Sequence, residues 1–412
     1  MKRNIYLIVL EISKIISKTG LILNLPILTS ISFIISLRKI KSQISNKNKK
    51  KILIFEKSHG IDDIKHIINL KLDKEIEFFL LSRIHMKIIF HHFKNKEQKK
   101  YINYINNTLF FFKNLIKINL IISFNLRYDA EKIFQKIDKN LRINYIVLQK
   151  ECLFNENALS NLKEYFLNEN IFEGNHITTY NEVFKKMLIS SNFAKNNKIT
   201  VVGATRVDEY FALKDKKQEN IVYFLIQIKT GLTYQNSTFS WHKLSEECLK
   251  TTLDIAENNQ QVNFFFKTKI LDDKQTYDQQ KLIREKNLKN CHIISGGNSF
   301  NLIKNAKLIV AFNSTAIFEG LACKKKILVP YFENYHENLE KYIINTSESP
   351  NIFHAKNEKD MASYLDKVCK DKNEIIYQET DKDKILLENF IGNSDGNSSK
   401  KLANLIKDQA FS

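Results

Sequence analysis

The sequence predicts an α/β protein with two domains, each built around a parallel sheet. Its 412 residues are too many for one ordinary hydrophobic core and suit two. Short apolar runs, typical of buried strands, alternate along the chain with helical stretches. Glycine is scarce, with only 10 residues, and several glycines directly follow apolar runs, as expected where a strand passes into a loop.

The alternation of strands and helices divides most of the chain into two regions. Residues 48–215 form the predicted first Rossmann-like domain, whose strands are expected at residues 52–55, 77–81, 120–124, 145–148 and 199–203. Residues 216–380 form the predicted second domain, whose strands are expected at residues 221–228, 262–266, 291–295, 308–312 and 327–329. Residues 381–412 are a predicted C-terminal tail and helix, in which residues 392–399 are expected to be flexible.

Residues 1–47 differ from the rest and are predicted to form a hydrophobic or amphipathic helical segment that associates with a membrane. Residues 5–16 are largely apolar but include Glu11 and Lys14, which suits a helix lying in the membrane interface. Residues 19–37 are uncharged and long enough to cross a bilayer, although polar residues interrupt them. A single spanning helix and a helix docked on the protein remain alternatives.

The chain is strongly basic, with a formal net charge of +19. Such a charge attracts anionic membranes, nucleic acids and phosphorylated substrates. No nucleic-acid-binding motif accompanies it, so a nucleic-acid partner is not expected. The five cysteines form no CxxC pair and the ten histidines no HExxH pattern, which argues for a reducing cytoplasm and against a metal site. The expected location is cytoplasmic, peripheral on or anchored to the inner face of the cell membrane.

Residues 307–332, KLIVAFNSTAIFEGLACKKKILVPYF, carry the clearest local pattern. An apolar run at residues 308–312 predicts a buried strand, residues 316–323 a short helix, and residues 327–329 the next strand. The pattern is that of one βαβ unit.

Three polar residues, Asn313, Ser314 and Thr315, join the predicted strand to the helix. Backbone N–H groups at a helix start lack partners and attract anions, so these residues are candidate donors to a nucleotide diphosphate. Glu319 lies one turn further along the same face, where its carboxylate would accept two ribose hydroxyls. The alternative is that Ser314 only caps the helix and Glu319 only complements its dipole.

The segment resembles the donor-nucleotide half of GT-B glycosyltransferases, especially those of bacterial surface-polysaccharide, capsule and lipopolysaccharide synthesis. CDP-glycerol glycerophosphotransferases and UDP-N-acetylglucosamine 2-epimerases are relatives of that family. Ser314, Thr315 and Glu319 match its pattern of a hydroxyl pair followed by a helical glutamate, and the likeness covers roughly residues 198–370. The resemblance implies the GT-B fold, in which two Rossmann-like domains with parallel sheets face each other across a cleft.

The resemblance also implies further donor-binding residues. Arg206, in the stretch GATRVD, would meet the donor phosphate with its planar fork of donors. An interdomain salt bridge is the equal alternative for this arginine. Gly231 ends the first predicted strand of the second domain, where a loop of the family approaches the donor. Lys267 and Lys269 follow a later strand, and Lys269 stands where family members often have a histidine.

Inverting transfer requires a base that takes the proton of the acceptor hydroxyl. The candidates are Glu151, His59 and Asp63, all in predicted loops of the first domain. The segment VLQKECLF, which contains Glu151, resembles a Lys-Glu pair of some surface-carbohydrate biosynthesis proteins. A solvated loop charge or a helix cap is the alternative for each candidate.

The sequence therefore predicts a metal-independent glycosyltransferase that moves a sugar from a nucleotide-activated donor to a surface-glycan or lipid-linked acceptor. No cofactor is expected, because GT-B enzymes generally stabilise the departing diphosphate with a helix N-terminus and basic side chains. The expected partners are the nucleotide-sugar, the acceptor and the cytoplasmic membrane surface. The alternatives are glycerol- or ribitol-phosphate transfer, nucleotide-sugar 2-epimerisation, and a non-catalytic GT-B-like scaffold in polysaccharide assembly.

Overall fold

A computed structural model of the chain divides it into two compact units. Unit 1 consists of residues 1–151, 166–206 and 397–412, and unit 2 of residues 152–165 and 207–396. The predicted boundary at residue 215 thus differs from the observed division near residue 206. The residues that the structure describes are 2–40, 49–56, 75–149, 154–212, 219–227, 241–268, 274–297, 299–332, 339–371 and 376–412.

Both units are built on sheets. The strands are β1 (Arg38–Lys39), β2 (Lys50–Glu56), β3 (Ile76–Ser82), β4 (Ile118–Ser123), β5 (Asn144–Leu148), β6 (His176–Thr179), β7 (Ile199–Val201), β8 (Asn220–Phe224), β9 (Asn263–Thr268), β10 (Cys291–Ser295), β11 (Ala306–Val310), β12 (Lys326–Pro330) and β13 (Ile352–Ala355).

Helices connect the strands. The described helices are α1 (Lys2–Ile22), α2 (Pro26–Ser36), α3 (Arg83–Phe93), α4 (Gln98–Ile116), α5 (Asp129–Lys132), α6 (Glu156–Leu167), α7 (Glu182–Ser190), α8 (Asp208–Phe211), α9 (Trp241–Asn258), α10 (Lys274–Glu285), α11 (Phe300–Lys304), α12 (Ala316–Ala322), α13 (Glu358–Lys370), α14 (Asp381–Ile391) and α15 (Ser398–Phe411).

Unit 1 contains a seven-stranded sheet in the order β1–β3–β2–β4–β5–β6–β7. Strands β2 to β7 pair in parallel, and the two-residue β1 runs antiparallel, against β3. The predicted parallel sheet with helical connections is therefore confirmed. Strand β6 was not expected from the sequence, because only one of its four residues, Ile177, is aliphatic.

One hydrophobic cluster of unit 1 lies between this sheet and α15. Leu402 and Ile406 of α15 are buried against Ile52 and Ile54 of β2 and Leu120 of β4. Because α15 comes from the end of the chain, the first sheet is covered by the last helix.

Unit 2 contains a six-stranded parallel sheet in the order β10–β9–β8–β11–β12–β13. This is the strand order of the dinucleotide-binding α/β fold, in which the chain turns to opposite sides after the first and fourth strands. The reversal here falls between β8 and β11, which we call the switch point. In open α/β sheets, ligands bind beyond the carboxyl ends of the strands at this place.

Helices α1 and α2 form an N-terminal hairpin that packs on α3 and α4 of unit 1. Ser13 Oγ lies 3.4 Å from His85 Nε2, and Thr29 Oγ1 lies 2.7 Å from the hydroxyl oxygen of Tyr104. Ser30 donates a hydrogen bond to the carbonyl oxygen of Thr108 at 2.6 Å. Among the helices of the described residues, none is both long and apolar enough to cross a membrane.

The segment expected to be flexible, residues 392–399, is instead held by buried polar contacts. Asn393 is fully buried and donates a hydrogen bond to Asp208 Oδ1 at 2.6 Å. Its own Oδ1 accepts one from the backbone N–H of Gly396 at 2.9 Å. Asn393 therefore stabilises a turn, whereas the abundance of asparagine in this segment had suggested a flexible loop.

Candidate functional site

The unit β11–α12–β12, predicted from residues 307–332, is present in unit 2. Strand β11 is buried along its whole length and pairs in parallel with β8 on one side and β12 on the other. Its carboxyl end, at Val310, is level with Tyr223 of β8 and Leu328 of β12. The residues that follow Val310 therefore leave the sheet at the switch point.

Asn313 shapes the turn that follows β11. Its φ of +45° is left-handed, a conformation that asparagine tolerates better than most residues. The side-chain amide donates a hydrogen bond to the carbonyl of Tyr342 at 2.9 Å, and its oxygen accepts one from the N–H of Ile344 at 3.0 Å. The side chain of Asn313 therefore holds a neighbouring segment in place beside the strand end.

Ser314 and Thr315 are half-buried and precede α12. Ser314 Oγ accepts a hydrogen bond from the N–H of Ala316 at 3.3 Å, as a helix cap does. Within the described part of the chain, the backbone N–H groups of Ser314 and Thr315 donate no hydrogen bond. These two donors sit at the switch point, where an anionic ligand would satisfy them.

Glu319 lies on the first turn and a half of α12, with only 8% of its surface exposed. Its Oε2 accepts a hydrogen bond from the hydroxyl of Tyr210 in α8 at 3.3 Å. Burial, and then the nearby Glu319 carboxylate, raise the pKa of the Tyr210 hydroxyl. Tyr210 is therefore a neutral side chain that donates its hydroxyl proton to a hydrogen bond with Glu319.

Lys267 lies near the end of β9 and is largely buried. Its ammonium group donates hydrogen bonds to the carbonyl oxygens of Gly296 and Thr268, the latter at 3.3 Å. Burial lowers the pKa of this amine. In this structure the amine joins the ends of β9 and β10.

Arg206 belongs to unit 1, unlike the residues around α12. Its guanidinium donates a hydrogen bond to the hydroxyl of Tyr180 at 3.1 Å and lies 5.6 Å from the centre of that ring. Asp208, two residues further on, receives its hydrogen bond from Asn393, as described above. Arg206 therefore stacks on an aromatic side chain.

Five of the residues predicted for the site lie outside the described residues. Their predicted roles stay predictions. They are the candidate bases His59, Asp63 and Glu151, and the candidate donor-binding residues Gly231 and Lys269.

Two groupings were not indicated by the sequence. Tyr210 is 109 positions from Glu319, so no local pattern joins them. In unit 1, the buried Glu131 pairs with Arg83 and accepts a hydrogen bond from Ser123, the last residue of β4. Arg83 directly follows β3, so this ion pair lies at the carboxyl edge of the first sheet. The sequence hinted at this ion pair only through Arg83, a charged residue directly after a strand-like run.

The chain contains two mainly parallel sheets, and the second has the dinucleotide-binding strand order with polar residues at its switch point. These features define an α/β protein of the GT-B-like class. Solved structures similar to this chain include UDP-N-acetylglucosamine 2-epimerases. One from Methanocaldococcus jannaschii is 14% identical, with a TM-score of 0.51 over 87% of this chain and 99% of that one.

Two further solved structures are similar to this chain. An epimerase from Neisseria meningitidis, bound to UDP-GlcNAc, is 13% identical, with a TM-score of 0.51 over 87% of this chain and all of that one. A Listeria monocytogenes protein, provisionally assigned as such an epimerase, is 12% identical with a TM-score of 0.53 over 87% and 96%. Comparisons with protein-family models and with curated proteins give no match. The predicted GT-B-like fold is thus supported, whereas glycosyl transfer is not specifically supported.

Proposed function

We propose that the chain is an enzyme acting on a UDP-sugar, whose nucleotide binds in unit 2 at the switch point. The main observation in support is the pair of backbone N–H donors at Ser314 and Thr315, one turn before the buried carboxylate of Glu319. This arrangement lies where α/β sheets bind nucleotides. The GT-B-like fold, shared with solved UDP-GlcNAc 2-epimerases, supports the same ligand class.

In the proposed complex, the N–H groups and hydroxyls of Ser314 and Thr315 hold the diphosphate, and Glu319 accepts hydrogen bonds from the ribose. Tyr210 orients the Glu319 carboxylate by donating a hydrogen bond to one of its oxygens. Asn313 positions the turn and Lys267 the neighbouring strand ends, as their contacts indicate.

The reaction we propose is inversion at C2 of the sugar, which would convert UDP-N-acetylglucosamine into UDP-N-acetylmannosamine. The supporting observation is the fold, since the three solved structures named above are described as 2-epimerases. Such a reaction removes the C2 proton on one face of the sugar and returns a proton on the other, so it needs acid–base side chains. Glu151, His59 and Asp63 were predicted as bases for glycosyl transfer, and we extend that proposal to this proton transfer.

Glycosyl transfer to a lipid-linked acceptor is the second candidate. The observation that favours it is the N-terminal hairpin, which exposes aliphatic side chains such as Ile15 and Ile22. An enzyme held at a bilayer would meet a lipid-linked acceptor there. The proposed nucleotide site serves either reaction, because both begin from a bound nucleotide-sugar.

The nucleotide site is tested by the thermal unfolding midpoint of the full chain with UDP, GDP or CDP, each with and without EDTA. A ligand of the folded state raises the midpoint by mass action. UDP should raise it in EDTA, and Glu319→Gln should remove the shift although glutamine can still accept from Tyr210. Glu358→Gln, at an exposed glutamate in the first turn of α13, is the matched control and should keep the shift.

The reaction is then read by NMR of UDP-N-acetylglucosamine incubated with the protein. Appearance of the C2 epimer supports epimerisation. Release of UDP that depends on an added lipid acceptor supports transfer. If no nucleotide stabilises the protein and neither product forms, the scaffold alternative replaces the proposal.

A further inference from the structure

The N-terminal hairpin has its polarity reversed relative to an ordinary surface helix. Surface helices of globular proteins bury their apolar stripe and expose their polar one. In α1 and α2 the fully buried side chains include a set of hydroxyl residues, each at most 1% exposed. They are Ser13, Ser17, Thr29, Ser30, Ser32 and Ser36.

The buried hydroxyls in α2 have hydrogen-bond partners, either within the helix itself or in α4. Ser32 donates to the carbonyl of Thr29 at 2.7 Å and Ser36 to that of Phe33 at 3.1 Å. Ser30 reaches across to the carbonyl of Thr108 in α4. Phe33, fully buried against His85 and Phe112, fixes the same face by packing.

The opposite faces carry bare aliphatic side chains. On α1, exposed isoleucines recur at helical spacing, and Ile15 and Ile22 keep 65% and 77% of their surface exposed. Leu23 and Leu25, in the turn, are also exposed. The apolar face, as we call this set, consists of Ile5, Ile8, Ile12, Ile15, Ile22, Leu23, Leu25, Ile27, Ile31 and Ile35.

The charges in this part of the chain are mostly positive. Residues 2–40 contain six lysines and arginines and a single acidic residue, Glu11. Glu11 is paired with Lys14 on the next turn, so its charge is balanced. Cationic residues flanking an apolar helical face match a membrane with anionic lipid head groups. A second copy of this chain would instead bring two like-charged hairpins, each on a protein of net charge +19, against each other.

We propose that the apolar face of the N-terminal hairpin is a docking surface for an anionic lipid bilayer, on which the hairpin lies in the plane of the membrane. The length of α2 favours a helix that lies on the membrane over one that crosses it. Its 11 residues span about 16 Å, roughly half of a hydrocarbon core of about 30 Å. The proposal is independent of the nucleotide site, which lies in unit 2.

The test is flotation of the full chain with vesicles of phosphatidylcholine alone or of equimolar phosphatidylcholine and phosphatidylglycerol. The protein should float with the anionic vesicles, and less so as salt is raised. The triple variant Ile8→Gln/Ile15→Gln/Ile22→Gln should weaken binding on the order of a hundredfold, since it removes three large apolar side chains from the contact. These side chains are exposed and glutamine is a good helix former, so folding is preserved.

A matched control carries the same chemical change on other exposed aliphatic residues of unit 1 and unit 2. Leu115→Gln/Ile171→Gln/Ile385→Gln alters side chains that are 58%, 60% and 51% exposed, and it should float as the wild type does. Equal loss in both triple variants, or no binding to anionic vesicles at all, would overturn the proposal. So would a lipid-free dimer, seen by light scattering, that only the hairpin variant abolishes, because the face would then belong to a second copy.

Discussion

The hydroxyl of Tyr210 donates a hydrogen bond to Oε2 of Glu319 at 3.3 Å and thereby joins α8 to α12. Both side chains are nearly buried, so water does not readily replace either partner. In the proposed complex this hydrogen bond fixes one oxygen of the carboxylate that accepts from the ribose.

Tyr210→Phe should lower the free energy of unfolding by about 1–2 kcal/mol, the cost of leaving a buried acceptor without this donor. It should also weaken UDP binding, since Glu319 loses its orientation. Chemical denaturation and isothermal titration measure the two effects. Tyr277→Phe, at a tyrosine that is 63% exposed, should change neither quantity. Unchanged stability in Tyr210→Phe would show that the hydrogen bond is not formed in solution.

Asn313 combines a left-handed backbone with two side-chain hydrogen bonds, and two substitutions separate these contributions. Asn313→Gly keeps the backbone conformation but loses both bonds, at about 1–2 kcal/mol. Asn313→Ala loses the bonds and adds about 1 kcal/mol of left-handed strain. Alanine should therefore be the more destabilising change in urea unfolding. The reverse order would mean that the turn relaxes out of the left-handed region.

Gly320 allows α12 to lie close against the sheet. A Cβ at this position would come within 2.6 Å of Ile309 Cδ1 and 3.3 Å of Ile327 Cδ1. Gly320→Ala should destabilise unit 2 by about 1–3 kcal/mol through overpacking, partly offset by about 1 kcal/mol of helix propensity.

The partner substitution Ile309→Val removes the atom that the new Cβ would meet. The double variant should therefore be more stable than the sum of the two single changes predicts, by about 0.5 kcal/mol or more. Strict additivity of the unfolding free energies would show that the helix moves away and that Ile309 is not the obstacle.

His85 makes the hairpin contact sensitive to pH. Burial, and then the charge of Lys14, lower the pKa of His85 to about 4 from 6.5. The folded state therefore resists protonation while the unfolded state accepts a proton. The contribution of neutral His85 to the free energy of unfolding is complete above pH 6.5. It falls as the pH drops towards 4, by up to about 3 kcal/mol.

Denaturation of the full chain at pH 7, 5.5 and 4.5 tests the His85 prediction. His85→Gln should make the profile shallower over this range, because glutamine does not titrate. Burial also lowers the pKa of His176 and of His354, so part of the pH dependence should remain. His91→Gln, at an exposed position of the same helix, should leave the profile as in the wild type. A wild-type profile that is already flat would contradict the prediction.

How much the sequence predicts depends on whether the signal is local. The unit around α12 was placed within two residues, because an apolar run, a cluster of capping residues and a second apolar run follow each other directly. Strand β13 was not expected, since its two apolar residues at the start, Ile352 and Phe353, are too few to form a run.

Contacts between distant parts of the chain left no local signal. Neither the bond from Tyr210 to Glu319 nor the one from Asn393 to Asp208 has a sequence period that would indicate it. The reversed polarity of the hairpin was hidden as well. Isoleucine and serine both recur at helical spacing there, and periodicity alone does not say which face turns inward.

The packing of α15 on the first sheet affects how unit 1 folds during synthesis on the ribosome. A ribosome delivers β2 and β4 early, yet Leu402 and Ile406, which bury them, arrive only after all of unit 2. We expect unit 2 to close its own core during synthesis, while the nascent first sheet keeps an aliphatic face uncovered. That interval is when the chain is most exposed to aggregation, and it is when chaperones would recognise it.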